Sequence, residues 1–228
     1  MPIVRAPRGL DRDPLFADYL EQWVTVASHN VQELTTMSRR NMLCARIQPY
    51  FDSQKITLLG LRPVDIESFY EELYNDDLSG STVLHYHQFM KQALKSAVRK
   101  DMLPSNPFNK IDQPKKNVFE DCYYTAEEVL QMLKIFETDP VRVPVTLAAY
   151  YGFRRSEVLG LMWSSVDFAG HTISVQHKVI ERQKTEDQTI LISDQLKTVA
   201  SRRTLPLIPV VEEELLAHKA QIEENRRI

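Results

Sequence analysis

Cysteine is scarce: Cys44 and Cys122 are the only two in 228 residues. They have no metal-site spacing and cannot form a disulfide framework, so a reducing cytoplasm is the expected setting. No apolar run approaches the roughly 18 residues that would suggest a membrane span. The first thirteen residues carry Pro2, Pro7, Arg5, Arg8 and Arg12 without an apolar stretch, which does not fit a secretory signal. Internal repeats and low-complexity segments are absent too. There is also no excess of positive charge. The 28 Lys and Arg against 31 Asp and Glu leave a net charge of −3. Taken alone, that balance argues mildly against nucleic acid, because non-specific affinity comes from cations neutralising phosphates.

What is present is ordinary in bulk and segregated in detail. Hydrophobic residues make up 43% and charged residues 26%, as in a water-facing globular protein. The length accommodates two domains, each with its own core. Acidic residues gather at Asp65, Glu67, Glu71, Glu72, Asp76 and Asp77, and again at Glu212, Glu213, Glu214, Glu223 and Glu224. Basic residues gather elsewhere: Arg39, Arg40 and Arg46; Lys91, Lys95, Arg99 and Lys100; Lys110, Lys115 and Lys116; Lys197, Arg202 and Arg203. Such segregation is compatible with one DNA-facing side and equally with solvated faces.

After an N-terminal tail (residues 1–13), residues 14–108 read as a helical domain. Pro14-Leu15-Phe16 opens a helix with Phe16, Leu20, Trp23 and Ala27 near helical spacing, ending at Asn30. A second helix is expected from about Thr36 to Tyr50, using Met37, Leu43 and Ile47. Pro63 suits the first turn of a third, where its missing N–H costs nothing. Val64, Ile66, Phe69, Tyr70 and Leu73 supply that helix's apolar side. Ser81 is the expected cap of a fourth helix, Thr82 to Asp101. On it Val83, Tyr86, Met90, Ala93, Leu94 and Ala97 share one face at about 100° per residue. Lys91, Lys95 and Arg99 follow at i, i+4 and i+8 along its flank, either against a phosphate backbone or as ordinary snorkelling cations.

Residues 109–124 lack helical periodicity and read as a linker. In residues 125–228, Thr125 and Glu128 form a capping box for a helix burying Val129, Leu130, Leu133 and Phe136. A more buried helix is expected from Pro140 to Tyr151, through Val143, Leu147, Ala148 and Tyr151, and another from Arg154 to Met162. His171 to Val175 alternates as a strand, with further strands at Thr189 to Ile192 and Arg202 to Leu207. Pro209 to about Arg226 returns to helix.

Two stretches are more specific than any periodicity. Tyr151-Gly152-Phe153-Arg154-Arg155-Ser156-Glu157-Val158-Leu159-Gly160-Leu161-Met162-Trp163-Ser164-Ser165-Val166-Asp167 resembles the box around the first active-site arginine of tyrosine recombinases, the phage-integrase family. Leu196-Lys197-Thr198-Val199-Ala200-Ser201-Arg202-Arg203-Thr204-Leu205-Pro206-Leu207 resembles that family's β-hairpin with its catalytic lysine. Residues before them, including Ile47-Gln48-Pro49-Tyr50-Phe51 and Asn106-Pro107, resemble its helical core-binding domain. The likeness spans about Phe16 to Leu215.

The resemblance implies a fold that is mainly α with a small β-sheet: an N-terminal helical (SAM-like) core-binding domain, then the first part of an α+β catalytic domain. It implies Arg154 as the phosphate-binding arginine and Lys197 as general acid for the leaving 5′-hydroxyl. The residue types suit the chemistry. Transfer at phosphorus spreads charge over the non-bridging oxygens, and a guanidinium offers paired donors that stay charged. Arg154 at a helix start could add backbone donors. Glu157 is expected to buttress rather than react, and Trp163 to lie in the core. Arg155, Arg202 and Arg203 stand as DNA-backbone contacts or as surface arginines.

The implied partner is double-stranded DNA at a recombination core site, with no metal or other cofactor and no membrane. The full-length protein would be a tetramer on DNA and would rejoin strands through a phosphotyrosine intermediate. The family's His-x-x-Arg box and tyrosine nucleophile are not found here. His218-Lys219-Ala220-Gln221 is no such box, and no tyrosine follows Tyr151. The expectation is therefore a chain cut within its catalytic domain, monomeric, binding DNA without cleaving it. A non-catalytic DNA-binding regulator on the same scaffold is the alternative.

Overall fold

The computed structural model of the chain describes residues 13–118, 120, 122–183, 188–193 and 202–226; for residues 180–183 and 188–193 it describes the backbone only. The chain divides into two compact units, residues 1–120 and 121–228.

The first unit is helical. Helix α1 (Phe16–Ala27) is tethered at its start by a short bridge between Leu15 and Thr57, with Phe16 N–H donating to the Ile56 carbonyl at 2.9 Å. One helix was expected between Thr36 and Tyr50; three segments occur there. Helix α2 (Glu33–Met42) passes into a π-helical turn over Leu43–Ile47 and then into α3 (Gln48–Ser53). Pro49 cannot donate to a carbonyl one turn back, and the wider turn before it absorbs that mismatch. The turn also places both Leu43 and Ile47 in the core. Helix α4 (Pro63–Asn75) starts on its proline, and the buried Asp65 carboxylate accepts from Arg62 N–H at 2.8 Å. Ile66, Phe69, Tyr70 and Leu73 face inward, whereas Val64 is exposed.

Helix α5 (Gly80–Arg99) buries the six apolar positions read from its periodicity. Its cap is Ser79, not Ser81: the Ser79 hydroxyl accepts from Thr82 N–H at 3.2 Å. Ser81 instead pairs with Asn117. Its N–H donates to Asn117 Oδ1 at 3.0 Å, and its Oγ accepts from Asn117 N–H at 3.1 Å. The segment after α5 thus returns to the beginning of that helix. The core centres on three fully buried rings, Phe16, Phe51 and Phe69, with centroid spacings of 4.9 Å (Phe16–Phe51) and 5.2 Å (Phe51–Phe69).

The second unit is α+β. Helices α6 (Ala126–Ile135) and α7 (Arg142–Tyr151) precede a short α8 (Arg155–Leu159). Strands β1 (Val166–Asp167), β2 (Thr172–Val175) and β5 (Arg203–Pro206) form an antiparallel sheet in the order β1-β2-β5, with Val166 opposite Ile173 and Val175 opposite Arg203. Strand β3 (Lys178–Gln183), not foreseen in the sequence, pairs with β4 (Gln188–Ser193) as a separate antiparallel hairpin. Helix α9 (Pro209–Asn225) packs on α7, where Arg142 Nε donates to Glu214 Oε1 at 2.7 Å.

Three expectations of burial fail here. Leu130, Ala148 and Trp163 were read as interior, yet all three are exposed. Of the apolar positions on α6 only Leu133 is buried, and on α7 only Leu147. The apolar surface of these helices exceeds what α9 and the sheet cover. An open apolar cleft of about 270 Å³ remains, lined among others by Pro140, Leu159, Met162, Trp163 and Ile222. Trp163 stacks on His218 at its edge, with centroids 6.2 Å apart.

Candidate functional site

The Arg154 segment is shaped by the end of α7. Gly152 caps that helix with φ +63°, a left-handed conformation that a side chain would strain. The reversal lets Phe153 turn into the core, its ring stacked on Tyr151 at 5.1 Å. The Tyr151 hydroxyl locks the turn to the sheet: it donates to the Pro206 carbonyl at 2.9 Å and accepts from Ile208 N–H at 3.0 Å. Arg154 then falls at the cap position of α8, in extended conformation. Helix α8 ends at Gly160, sooner than the Met162 expected. A Cβ on Gly160 would lie 2.7 Å from the Lys178 Cα, so the close approach of β3 requires glycine there.

Glu157 is the centre of the cluster. Its side chain is 4% exposed, and that of Arg154 is 71% exposed. The carboxylate accepts from Arg154 N–H (3.1 Å) and Arg154 Nη1 (2.9 Å). On its other side it accepts from Arg203 Nη2 at 3.0 Å and, more weakly, from Nη1 at 3.5 Å. Arg203 also lies over the Phe153 ring, 5.2 Å from its centroid. Burial by itself would raise the Glu157 carboxyl. The Arg203 hydrogen bond, with those from the Arg154 backbone and side chain, holds it below the usual carboxylate range. The Arg154 N–H is committed to Glu157, so that backbone donor is taken within the cluster.

The cluster presents one exposed guanidinium, fixed at one Nη by a buried carboxylate. That arrangement suits an oxyanion with two or more oxygens. Beside it, Val175, Gln176, His177, Arg202, Arg203 and Thr204 line an open polar cleft of about 450 Å³. Arg155 and Arg202 are exposed and each has a further interaction of its own. Lys197 lies outside the described residues. The link from Arg203 to Glu157 was missed in the sequence, which offers no local signal for a contact spanning 46 positions.

In the first unit, Lys95 and Arg99 are exposed on α5 and Lys91 is half-buried. The Lys91 carbonyl accepts from Asn106 Nδ2 at 3.1 Å. The structure adds Arg39 to this side. Its Nη2 donates to Gln92 on α5 at 2.8 Å and its guanidinium lies 4.9 Å from the Trp23 ring centroid. Among the described residues, no helix is long and apolar enough to cross a membrane.

Comparisons with known proteins agree with this architecture. The family described as phage integrase, N-terminal SAM-like domain, matches residues 15–74. A curated relative, a tyrosine recombinase XerC-like protein of Caldanaerobacter subterraneus subsp. tengcongensis, is 25% identical over 223 residues, covering 89% of this chain and 55% of the relative. The chain thus spans about half the length of the curated relative it matches. Among solved structures, the Tn1549 transposon integrase in complex with a circular intermediate DNA superposes with a TM-score of 0.73 at 18% identity, covering 88% of this chain and 63% of that one. A lambda integrase dimer bound to a core site gives a TM-score of 0.59 at 15% identity, covering 78% and 49%. A lambda integrase tetramer bound to a Holliday junction gives 0.59 at 16%, covering 81% and 52%.

Proposed function

We propose that this chain, a member of the tyrosine recombinase family, is the DNA-gripping part of a site-specific recombinase or integrase of a mobile element, acting in the cytoplasm on a double-stranded core site. The observation that carries the reading is the exposed Arg154 guanidinium anchored on buried Glu157, within the sequence box that resembles the family's first arginine motif. Arg154 binds non-bridging oxygens of the scissile phosphate. In the full-length protein a tyrosine phenolate oxygen attacks phosphorus. A 3′-phosphotyrosyl bond forms, the bond to the 5′ oxygen breaks, and that oxygen takes its proton from Lys197. Lys91, Lys95, Arg99, Arg155 and Arg202 contact the DNA backbone. Because no tyrosine follows Tyr151, the chain alone binds DNA without cutting it; the full-length protein works as a tetramer on two duplexes.

The test is a salt series of binding to a DNA duplex. Wild-type affinity should fall steeply with salt, and Arg154→Ala should flatten the log–log slope by about one, the signature of a lost phosphate contact. An unchanged slope and affinity in Arg154→Ala would remove the assignment.

A further inference from the structure

Arg203 suggests a role that its charge alone does not. It sits on β5, 27% exposed, with both Nη atoms directed at Glu157 and its guanidinium over Phe153. A carboxylate facing one arginine tends to neutralise it, which would leave Arg154 a weak ligand for an anion. Here the Glu157 charge is shared: Oε1 takes the Arg154 Nη1, while Oε2 takes the Arg203 Nη2. We propose that Arg203 is a positioning residue. By taking up much of the Glu157 charge, it keeps the Arg154 cation available for a DNA phosphate while Glu157 still fixes its orientation. This rests on the reading of Arg154 as a phosphate-binding group. It also gives β5 a purpose beyond the sheet, because it makes the exposed arginine depend on a residue 49 positions further along the chain.

The charge balance yields a test that simple structural damage would not mimic. Full-length Arg203→Met protein should bind a DNA duplex with a log–log salt slope reduced by about one, as if Arg154 itself were lost. Adding Glu157→Gln should restore most of that slope, since the charge Arg203 offset is then gone. A double variant as weak as Arg203→Met, with its fold intact by circular dichroism, would overturn the proposal. Arg203→Lys keeps the charge with a single point donor, so it should retain most of the wild-type slope even if Arg203→Met folds poorly; a slope as flat as that of Arg154→Ala would also overturn it.

A second measurement needs no DNA: following the Glu157 carboxyl by 13C NMR through a pH titration. The titratable or charged residues on elements meeting α8 are Arg142, Tyr150 and Tyr151 on α7, Arg154 and Arg155 at its own start, Lys178, Glu181 and Arg182 on β3, and Arg203 on β5. Arg154 and Arg203 bond the carboxylate itself. The Glu157 midpoint should rise in Arg203→Lys and further in Arg203→Met. An unchanged midpoint would refute the brace whatever the DNA data say. The expected midpoint shift, found together with an Arg154→Ala protein whose salt slope and affinity equal wild type, would instead refute the functional reading while leaving the brace intact.

Discussion

Lowering the pH should destabilise the first unit through His87, and the structure sets the scale. His87 is 1% exposed on α5. Its Nδ1 lies 2.7 Å from the Tyr70 hydroxyl, and its ring meets Phe108 edge-on at 5.1 Å. Nε2 is buried with no hydrogen-bond partner among the described residues. A second proton would therefore place an uncompensated charge in the core. Burial, with a smaller push from the Lys91 ammonium, lowers the imidazole from 6.5 to about 4. In the unfolded chain His87 accepts a proton near 6.5, while the folded chain resists it. Stability is therefore full above pH 7, falls as pH drops below about 6.5, and levels off near 4. At about 1.4 kcal/mol per tenfold change in proton affinity, the loss amounts to about 3 kcal/mol. Urea unfolding of the full chain, followed by tyrosine fluorescence at pH 7 and at pH 4.5, should show that loss in wild type. His87→Gln does not titrate and can still bond Tyr70, so its pH dependence should be shallower by most of that amount. Equal pH dependence in the two proteins, or an NMR midpoint for His87 near 6.5, would refute the reasoning.

Phe51→Ala empties the centre of the three-ring core, where Phe51 is fully buried. It should lower unfolding free energy by about 3–5 kcal/mol in the same urea assay. Gly160→Ala forces a Cβ to within 2.7 Å of the β3 backbone, which must move away. Hydrogen exchange of the β3–β4 amides should speed up at least severalfold, while α5 amides stay unchanged.

Much of the first unit was legible because its signals are local. The apolar face of α5 follows from helical periodicity, and Pro63 marks the start of α4 by its chemistry. The errors arose where local signals compete. Ser79 and Ser81 both suit a helix cap. Asn117, 36 positions away, engages Ser81, and Ser79 holds the cap. Asn106-Pro107 reads as a break in the helix. In the fold Asn106 also accepts from Phe108 N–H at 3.0 Å and donates to the Lys91 carbonyl, seating Phe108 in the core. In the second unit, apolar content was taken for burial at Leu130, Ala148 and Trp163, but burial depends on which surfaces exist to cover a side chain.

The sequence by itself determined the residue types of the candidate site. Gly152 permits the left-handed turn, and Arg154 with Glu157 at i+3 makes the cap and its ion pair, since all of these interactions lie within one helical turn. Only the tertiary structure decided how charge is divided there. Arg203 reaches Glu157 because β5 pairs with β2 and lies beside the turn that Tyr151 ties to the sheet. Strand pairing and packing bring distant residues together through contacts that no local spacing encodes. The pattern therefore identified the exposed arginine, while the fold revealed the second cation that shares its carboxylate.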